Sequence, residues 1–457
     1  MGKSISIEGI SEVFSANSGL ILLEKLWREL KVEKYLKRFL PKKKRNKGPD
    51  QVNKVKSLLY SFAVGNDCLD DLDTLFNDEL YRELSAGGCS AKCMGDFLRS
   101  FSKHHIVKFQ DFLIDFAMKL RLMLSNEKEF ILSMDSTYHE HRAFKMEGIS
   151  ENYKGKWCLD SQNAYDQFGL SYLFDLRPGQ VHSGKDSELW IHKIFSKVPG
   201  HFNRWFRADS AYSKHSVFEA LQIKKVNFAI VLKENIAKYV RKKNIHFLSW
   251  RKTELNFFNS TNCEVATGLY PVKKAGILRV IFIRVRRDNP QLDLIDENYN
   301  ELAYRHYSIV TNTSGYDFSE EELIEFYRGR ANCENYIRDQ KYGYDFLNFP
   351  CKKLTANTIF GIIGTMTHNL MRYLSFQMNK KTKRVRTKKN RIVTVIQNNY
   401  FTKTVRKSLI HIPCRLVRSA RKLKVRVEHY NKEVLDKVLW KIEKNISEQS
   451  YGIQPKT

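Results

Sequence analysis

Between about residues 130 and 232 the chain alternates short apolar runs with amphipathic segments, and this rhythm points to an α/β arrangement. Phe130-Ile131-Leu132-Ser133-Met134 reads as a short buried strand that delivers Asp135 at its end. Phe168 to Leu176 reads as a second strand, closed by the turn residues Arg177-Pro178-Gly179. Ser187 to Phe195 is expected to be helical. Arg204 to Ala208 is a strand leading straight to Asp209, Lys214 to Leu221 a helix, and Val226 to Leu232 a clear strand.

The flanking segments have a different character. Residues 1–125 read as largely helical: Leu20 to Leu40 (ending at Pro41), Val52 to Val64, and Ile106 to Leu124, where Ile106, Phe109, Leu113, Phe116 and Leu120 recur at helical spacing. Pro41 to Lys47 is a basic loop, solvated or in touch with a DNA backbone. Cys68 to Leu75, with Asp67, Asp70, Asp71 and Asp73, reads as a helix start and turn, because the ligand pattern of an EF-hand is missing. Residues 233–305 are strand-rich and heavy in Lys and Arg, with Ile277 to Val285 the plainest strand; His306 to Thr311 reads as a strand returning to the main sheet. Leu354 to Met378 is a long helix with apolar residues at core spacing. A basic stretch follows through Lys380, Lys381, Lys383, Arg384, Arg386, Lys388, Lys389 and Arg391, and then a basic, helical tail. The plan expected is a helical N-terminal DNA-binding region (1–125), a core in two parts (126–232 and 306–378), a β-rich insertion between them (233–305) and a basic C-terminal region (379–457).

Within the second part of that core, Tyr327, Arg330, Glu334 and Lys341 sit inside one predicted helix. Offsets of three, seven and fourteen residues fall within an arc of roughly 60° at 3.6 residues per turn, and Arg338 lands on the same stripe. Ser319 with Glu322 reads as a capping box, and Gly343 is a plausible stop. Phe326, Cys333 and Ile337 form an apolar flank that lets the helix pack while the stripe faces outward. A solvated charged face is the ordinary reading of such a stripe. Here it is mostly cationic around one acid, which suits a phosphate-rich ligand better than water.

Net charge agrees. The 457 residues carry a formal +28 with 42% hydrophobic content, which implies a folded protein with a polyanionic partner. Nucleic acid fits, since each neutralised phosphate releases counterions and adds affinity. No amphipathic basic helix or lipid signal stands out for a membrane surface, Met1 to Ile10 lacks the basic-then-apolar plan of a signal peptide, and no apolar run approaches a membrane span. A soluble, cytoplasmic, nucleoid-associated protein is expected. The eight cysteines form no paired CxxC set, so reduced, mostly buried thiols are expected. Cys89 and Cys93 with His104 and His105 match no standard zinc spacing.

Three acids stand out by position: Asp135 and Asp209 after strands, and Glu334 on the cationic helix. Singly, an acid at a strand end is more often a turn or cap residue. Together they have the order of an RNase H-like nuclease core, in which two strand-borne aspartates and one helix-borne acid converge. Hard oxygen ligands suit Mg²⁺. Two such ions about 4 Å apart clamp the attacking and leaving oxygens of a displacement at phosphorus.

The spacing Tyr-x2-Arg-x3-Glu-x6-Lys resembles, without a gap, the signature of bacterial insertion-sequence transposases, the DDE enzymes of the YREK class. Asp135, Asp209 and Glu334 match the DDE triad in order and context. Ser133-Met134-Asp135-Ser136-Thr137, Leu176-Arg177-Pro178-Gly179-Gln180-Val181-His182 and Arg207-Ala208-Asp209-Ser210 are also similar to that superfamily, over roughly residues 125–375. The resemblance implies an RNase H-like, retroviral-integrase-like core and a cut-and-paste enzyme. Such an enzyme uses two Mg²⁺ (or Mn²⁺) held by the three acids to nick at terminal inverted repeats, free 3′-hydroxyls and join them to target DNA as a homodimer on double-stranded DNA. Arg330 and Lys341 would hold phosphates and Tyr327 the same backbone, with Arg338 beside them. In relatives excision passes through a hairpin, with a base flipped onto a tryptophan of the β-insertion; Trp250 lies in the matching region, and an ordinary packed aromatic is an equal reading of it. Two other functions remain open: an RNase H-like nuclease without strand transfer, and a non-catalytic DNA-binding relic.

Overall fold

The computed structural model describes residues 12–43, 48–141, 144–260, 262–287, 303–378, 382–386, 392–396, 400–420 and 422–452. Lys44 to Lys47 of the basic loop, and Lys380, Lys381, Lys388, Lys389 and Arg391 of the later basic stretch, lie outside the described residues. Between the latter, Thr382–Arg386 and Ile392–Ile396 pair as an antiparallel hairpin.

Up to residue 124 the described chain is mostly helical, as the spacing predicts; Gln51–Val64 and α1 (Lys103–Leu124) are its long members. The single helix expected over Leu20 to Leu40 is instead two, Leu20–Glu29 and Val32–Leu36, because Lys31 turns left-handed at φ 53°. His105 accepts from the Ser102 amide at 3.1 Å as part of the cap of α1, so it serves the helix start.

The fold is mixed α/β around a ten-stranded mixed sheet. In chain order the strands that matter are β1 (Glu129–Glu140), β2 (Trp157–Tyr165), β3 (Ser171–Pro178), β4 (Asn203–Ala208) and β5 (Asn227–Val231). Helix α2 (Ser187–Lys197) precedes β4, and α3 (His215–Ile223) joins β4 to β5. β1, β4 and β5 run parallel; β2 is antiparallel to β1, and β3 to β2. The order at this end of the sheet is therefore β3-β2-β1-β4-β5.

The sheet continues past β5. Helix α4 (Glu234–Asn244) opens the segment expected to be strand-rich, followed by β6 (Arg251–Thr253), β7 (Cys263–Val272), β8 (Gly276–Arg286) and β9 (Tyr304–Thr311). β9 pairs with β5, β8 with β9, β7 with β8 and β6 with β7, so these strands extend the same sheet. α5 (Glu320–Arg328) and α6 (Ala331–Gly343) follow, and then α7 (Leu354–Met378), whose bounds match the sequence reading.

α7 is the spine of the core. Every residue from Ala356 to Gln377 is buried, against α1, β3 and the Gln51–Val64 helix. Close approach is possible where the helix has no side chain: a Cβ at Gly361 would overlap the Phe174 ring, and one at Gly364 would overlap Phe346. Most of its buried polar residues find partners. Asn369 Oδ1 accepts from the Ser171 amide at 2.7 Å and its Nδ2 donates to the Ser171 carbonyl at 2.8 Å, so the side chain completes the start of β3. Among the described residues no helix is long and apolar enough to cross a membrane.

Candidate active site

The parallel register of β1 and β4 ends at Met134↔Ala208. The next residue on each strand is an aspartate, so Asp135 and Asp209 emerge side by side at one edge of that pairing. The two strands then part company. Asp209 leaves the sheet and caps the short turn Ser210–Tyr212, its Oδ1 accepting from the Ala211 amide at 2.9 Å. Asp135 was expected at a strand end. It lies instead within β1, which runs on to Glu140 because β2 keeps pairing with it, Asp135 opposite Asn163.

Asp135 is short of compensation. Burial pushes its carboxyl up to about 6, with the Asp209 charge adding to the rise and Arg330 opposing it. Arg330 Nη1 donates to Asp135 Oδ2 at 2.9 Å, and Nη2 donates to Glu334 Oε1 at 2.8 Å. One guanidinium thus spans two of the three acids. Burial works against the Arg330 charge, but the Tyr327 hydroxyl, Asp135 and Glu334 more than offset it and raise its pKa.

The helix expected to carry Tyr327, Arg330, Glu334 and Lys341 on one face is two helices. α5 ends at Arg328 and α6 begins at Ala331, with the Arg330 amide bonding to Tyr327 O at 2.8 Å. The capping box Ser319/Glu322 opens α5 as its sequence predicts. The break has an identifiable cause. Arg207, buried on β4, donates from Nη1 to the Phe326 carbonyl at 2.9 Å and from Nε to Ser133 Oγ at 3.2 Å. Its guanidinium also lies 5.2 Å from the Phe326 ring centroid. A Cβ at position 329 would collide with Arg207 Nη1, so Gly329 is what lets the arginine reach the end of α5. Burial lowers the Arg207 pKa to about 10. Sequence reasoning passed over this residue; it stands in the stretch Arg207-Ala208-Asp209-Ser210 but was treated only as context for the aspartate.

α6 is held by Cys333, Tyr336 and Ile337, which bury against Tyr165 of β2. That packing aims Arg330 and Glu334 at β1. Phe326, expected on the same flank, packs one helix earlier against Trp205 at 4.6 Å. Lys341 Nζ donates to the Tyr138 carbonyl at 2.7 Å, three residues along β1 from Asp135. Tyr327 is buried with its ring 6.3 Å from Tyr307, and burial raises its hydroxyl pKa. Arg338 is not bonded to the acids: it is exposed, bonded to Asn335 at 3.1 Å, with its guanidinium 5.4 Å from the Phe401 ring centroid. Trp250 lies under Arg284 of β8 at 4.1 Å. β8 is three strands beyond β4, roughly 14 Å across the sheet at strand spacing, so Trp250 is not brought to the acids.

Can these residues hold a divalent cation? The oxygens of Asp135, Asp209 and Glu334 do not all come within 4.8 Å of one another; among the described residues only Asp67, Cys68 and Asp71 do. In that surface group Asp71 Oδ2 already accepts from the Asp67 and Cys68 amides at 3.0 and 3.1 Å, which is the turn and helix start read from the sequence. The triad nevertheless fits. Its donors are all carboxylate oxygens, as hard cations require. The Asp135 carboxyl stays raised, chiefly by burial and also by the Asp209 charge, despite its bond to Arg330. The Glu334 side chain is 61% exposed, against 16% for Asp135.

The model of a protein family described as "Transposase DDE domain group 1" matches residues 1–449. No curated protein matches the chain.

Proposed function

The chain belongs to the transposase DDE-domain family, and on that premise we propose that it cuts DNA at the ends of a mobile element and joins the freed 3′-hydroxyls to target DNA. The carrying observation is the register Met134↔Ala208, which sets Asp135 and Asp209 side by side, with Glu334 tied to Asp135 through Arg330. The strand order β3-β2-β1-β4-β5, with β1, β4 and β5 parallel, supports an RNase H-like core. The spacing of Tyr327, Arg330, Glu334 and Lys341 supports membership of the YREK class.

In this reading Asp135, Asp209 and Glu334 would hold two Mg²⁺ ions, with Mn²⁺ an alternative. The ions would supply Lewis acidity at phosphorus when bound. Arg330, now forked between Asp135 and Glu334, carries a planar guanidinium that would suit a phosphate beside the scissile bond. Lys341, anchored on the Tyr138 carbonyl, places a second cation along the same strand. Buried Tyr327 props Arg330 from behind. Two DNA ends must be cut and joined together, so the working form is a homodimer on double-stranded DNA.

The test is cleavage and strand transfer on DNA carrying the element's own ends with Mg²⁺, comparing the wild type with Glu334→Ala. Cutting and joining by the wild type alone supports the proposal. Cutting without joining leaves a metal-dependent nuclease. End binding without cleavage, unchanged by the substitution, leaves a DNA-binding relic.

A further inference from the structure

A second feature lies beside the acids on the outer face of α6. Glu334, Arg338 and Tyr342 are four residues apart and form one ridge, roughly 12 Å long at 1.5 Å per residue. All three are exposed. Arg338 and Tyr342 of the ridge line one side of a cleft of about 670 Å³, which Phe401, Lys403 and Lys407 also line. Tyr342 and Phe401 are 68% and 38% exposed, so both rings are open to solvent within the cleft. Lys403 and Lys407 are exposed as well.

The floor of the cleft is built rather than incidental. Asp339 is buried and accepts from the Thr402 amide and hydroxyl, both at 2.9 Å. Arg406 is also buried, donating to Phe62 O at 2.6 Å, Ala63 O at 3.1 Å and the Gly343 carbonyl. The acid in the lining is therefore consumed internally, and the surface offered to solvent is cations interleaved with aromatic faces. That combination suits a nucleic-acid strand: the cations follow phosphates and the rings stack on bases. A paired duplex hides its base faces, so exposed rings in a concave site favour unpaired nucleotides.

We propose that the cleft between Tyr342 and Phe401 binds unpaired nucleotides of the DNA strand that leaves the Glu334 end of the active site. Its link to a cut strand rests on the reading of the acids given above; the affinity for single strands does not. The continuity is geometric, because the ridge that starts at Glu334 enters the cleft one helical turn later at Arg338, whose guanidinium faces the Phe401 ring.

Binding of a fluorescent oligothymidylate, and of a blunt duplex of the same length, is measured by anisotropy with the full chain in EDTA. Phe401→Ala and Tyr342→Ala are each expected to weaken single-strand binding by at least about five-fold with little effect on the duplex. Lys403→Glu or Lys407→Glu is expected to lower the slope of log affinity against log salt by about 0.7 per lost phosphate contact. The substituted side chains are exposed, and unchanged melting temperatures check folding. Independently, 5-iodouracil in the oligonucleotide is expected to cross-link wild-type protein at Tyr342 or Phe401. Single-strand affinity untouched by both ring variants, or cross-links mapping to other segments, overturns the proposal. No metal or cutting is needed, so a failure of the cleavage assay and a failure here are distinguishable.

Discussion

The Arg207 guanidinium donates to the Phe326 carbonyl at 2.9 Å, a contact between β4 and the last turn of α5 spanning 119 residues of sequence. It satisfies a helix-terminal carbonyl that α5 itself cannot, and it occupies the space a side chain at 329 would need.

Gly329→Ala is therefore expected to destabilise the fold by about 1–3 kcal/mol, the usual cost of forcing an extra methyl into a packed site. In an Arg207→Leu background the same change should cost less than half as much, because the colliding atom is gone. Urea unfolding of the four proteins gives the coupling. Additive costs would mean that the helix break does not depend on Arg207.

A second prediction concerns acid stability. His368 is fully buried on α7, and burial, aided by Arg372 on the same helix, pushes its pKa down to about 3. It also faces Asp339 of α6 at 3.7 Å and the rings of Tyr165 and Tyr344. The neutral ring makes no ion pair with Asp339; its Nε2–H donates to the Gly169 carbonyl at 3.0 Å. The folded pKa lies below the unfolded one, so this stability is complete above about 6.5 and is lost as pH falls toward 3. Asp135 and Asp166, both raised to about 6 chiefly by burial, act in the opposite sense over part of that window, so the wild-type curve alone is a sum. The difference between wild type and His368→Gln isolates the term. Its slope should approach about 1.4 kcal/mol per pH unit between pH 6 and 4. A flat difference would mean that the ring is already charged in the folded protein.

What the sequence disclosed depended on whether the cause of a feature was local. The placement of Asp135 and Asp209 beside paired strands was legible because Phe130 to Met134 is an apolar run and Arg204 to Ala208 a short strand-like segment, and Glu334 stood out because its neighbours keep a fixed spacing. The break between α5 and α6 was not legible. Gly329 and Arg330 both keep right-handed helical angles, and the cause sits on another strand. β2 escaped notice for a different reason: Asp160, Ser161, Gln162 and Asn163 are buried polar residues in mid-strand, so no apolar alternation marks it. α4 was hidden by Arg241, Lys242 and Lys243, read as part of a basic strand-rich segment.

Asn369 offers a test of how the spine holds the sheet. Its amide group pairs with both the amide and the carbonyl of Ser171, in full burial. Asn369→Leu leaves both backbone groups without their partner and is expected to cost about 3 kcal/mol. Hydrogen exchange of the Ser171 amide should accelerate beyond the change in global stability. An exchange rate that tracks global unfolding alone would show that β3 does not rely on this side chain.

The last prediction concerns Arg330, whose two bonds tie up one oxygen each of Asp135 and Glu334, two of the three acids proposed to hold metal. A cation entering the site must compete with this guanidinium for both carboxylates. Removing the arginine should then raise the affinity of the DNA-free protein for a divalent ion, whereas a purely structural residue would lower it or leave it unchanged. A unit charge within hydrogen-bond distance of a partly buried carboxylate is worth a few kcal/mol before solvent screening. A rise on the order of ten-fold is expected after that screening, since the Glu334 side chain is exposed and its share is small. Mn²⁺ titration followed by electron paramagnetic resonance reads the affinity directly, on wild type, Arg330→Gln and Arg330→Lys. Arg330→Lys should fall between the other two, because one ammonium cannot fork to both acids. If Arg330→Gln binds Mn²⁺ more weakly than wild type, the guanidinium supports the metal site instead of closing it.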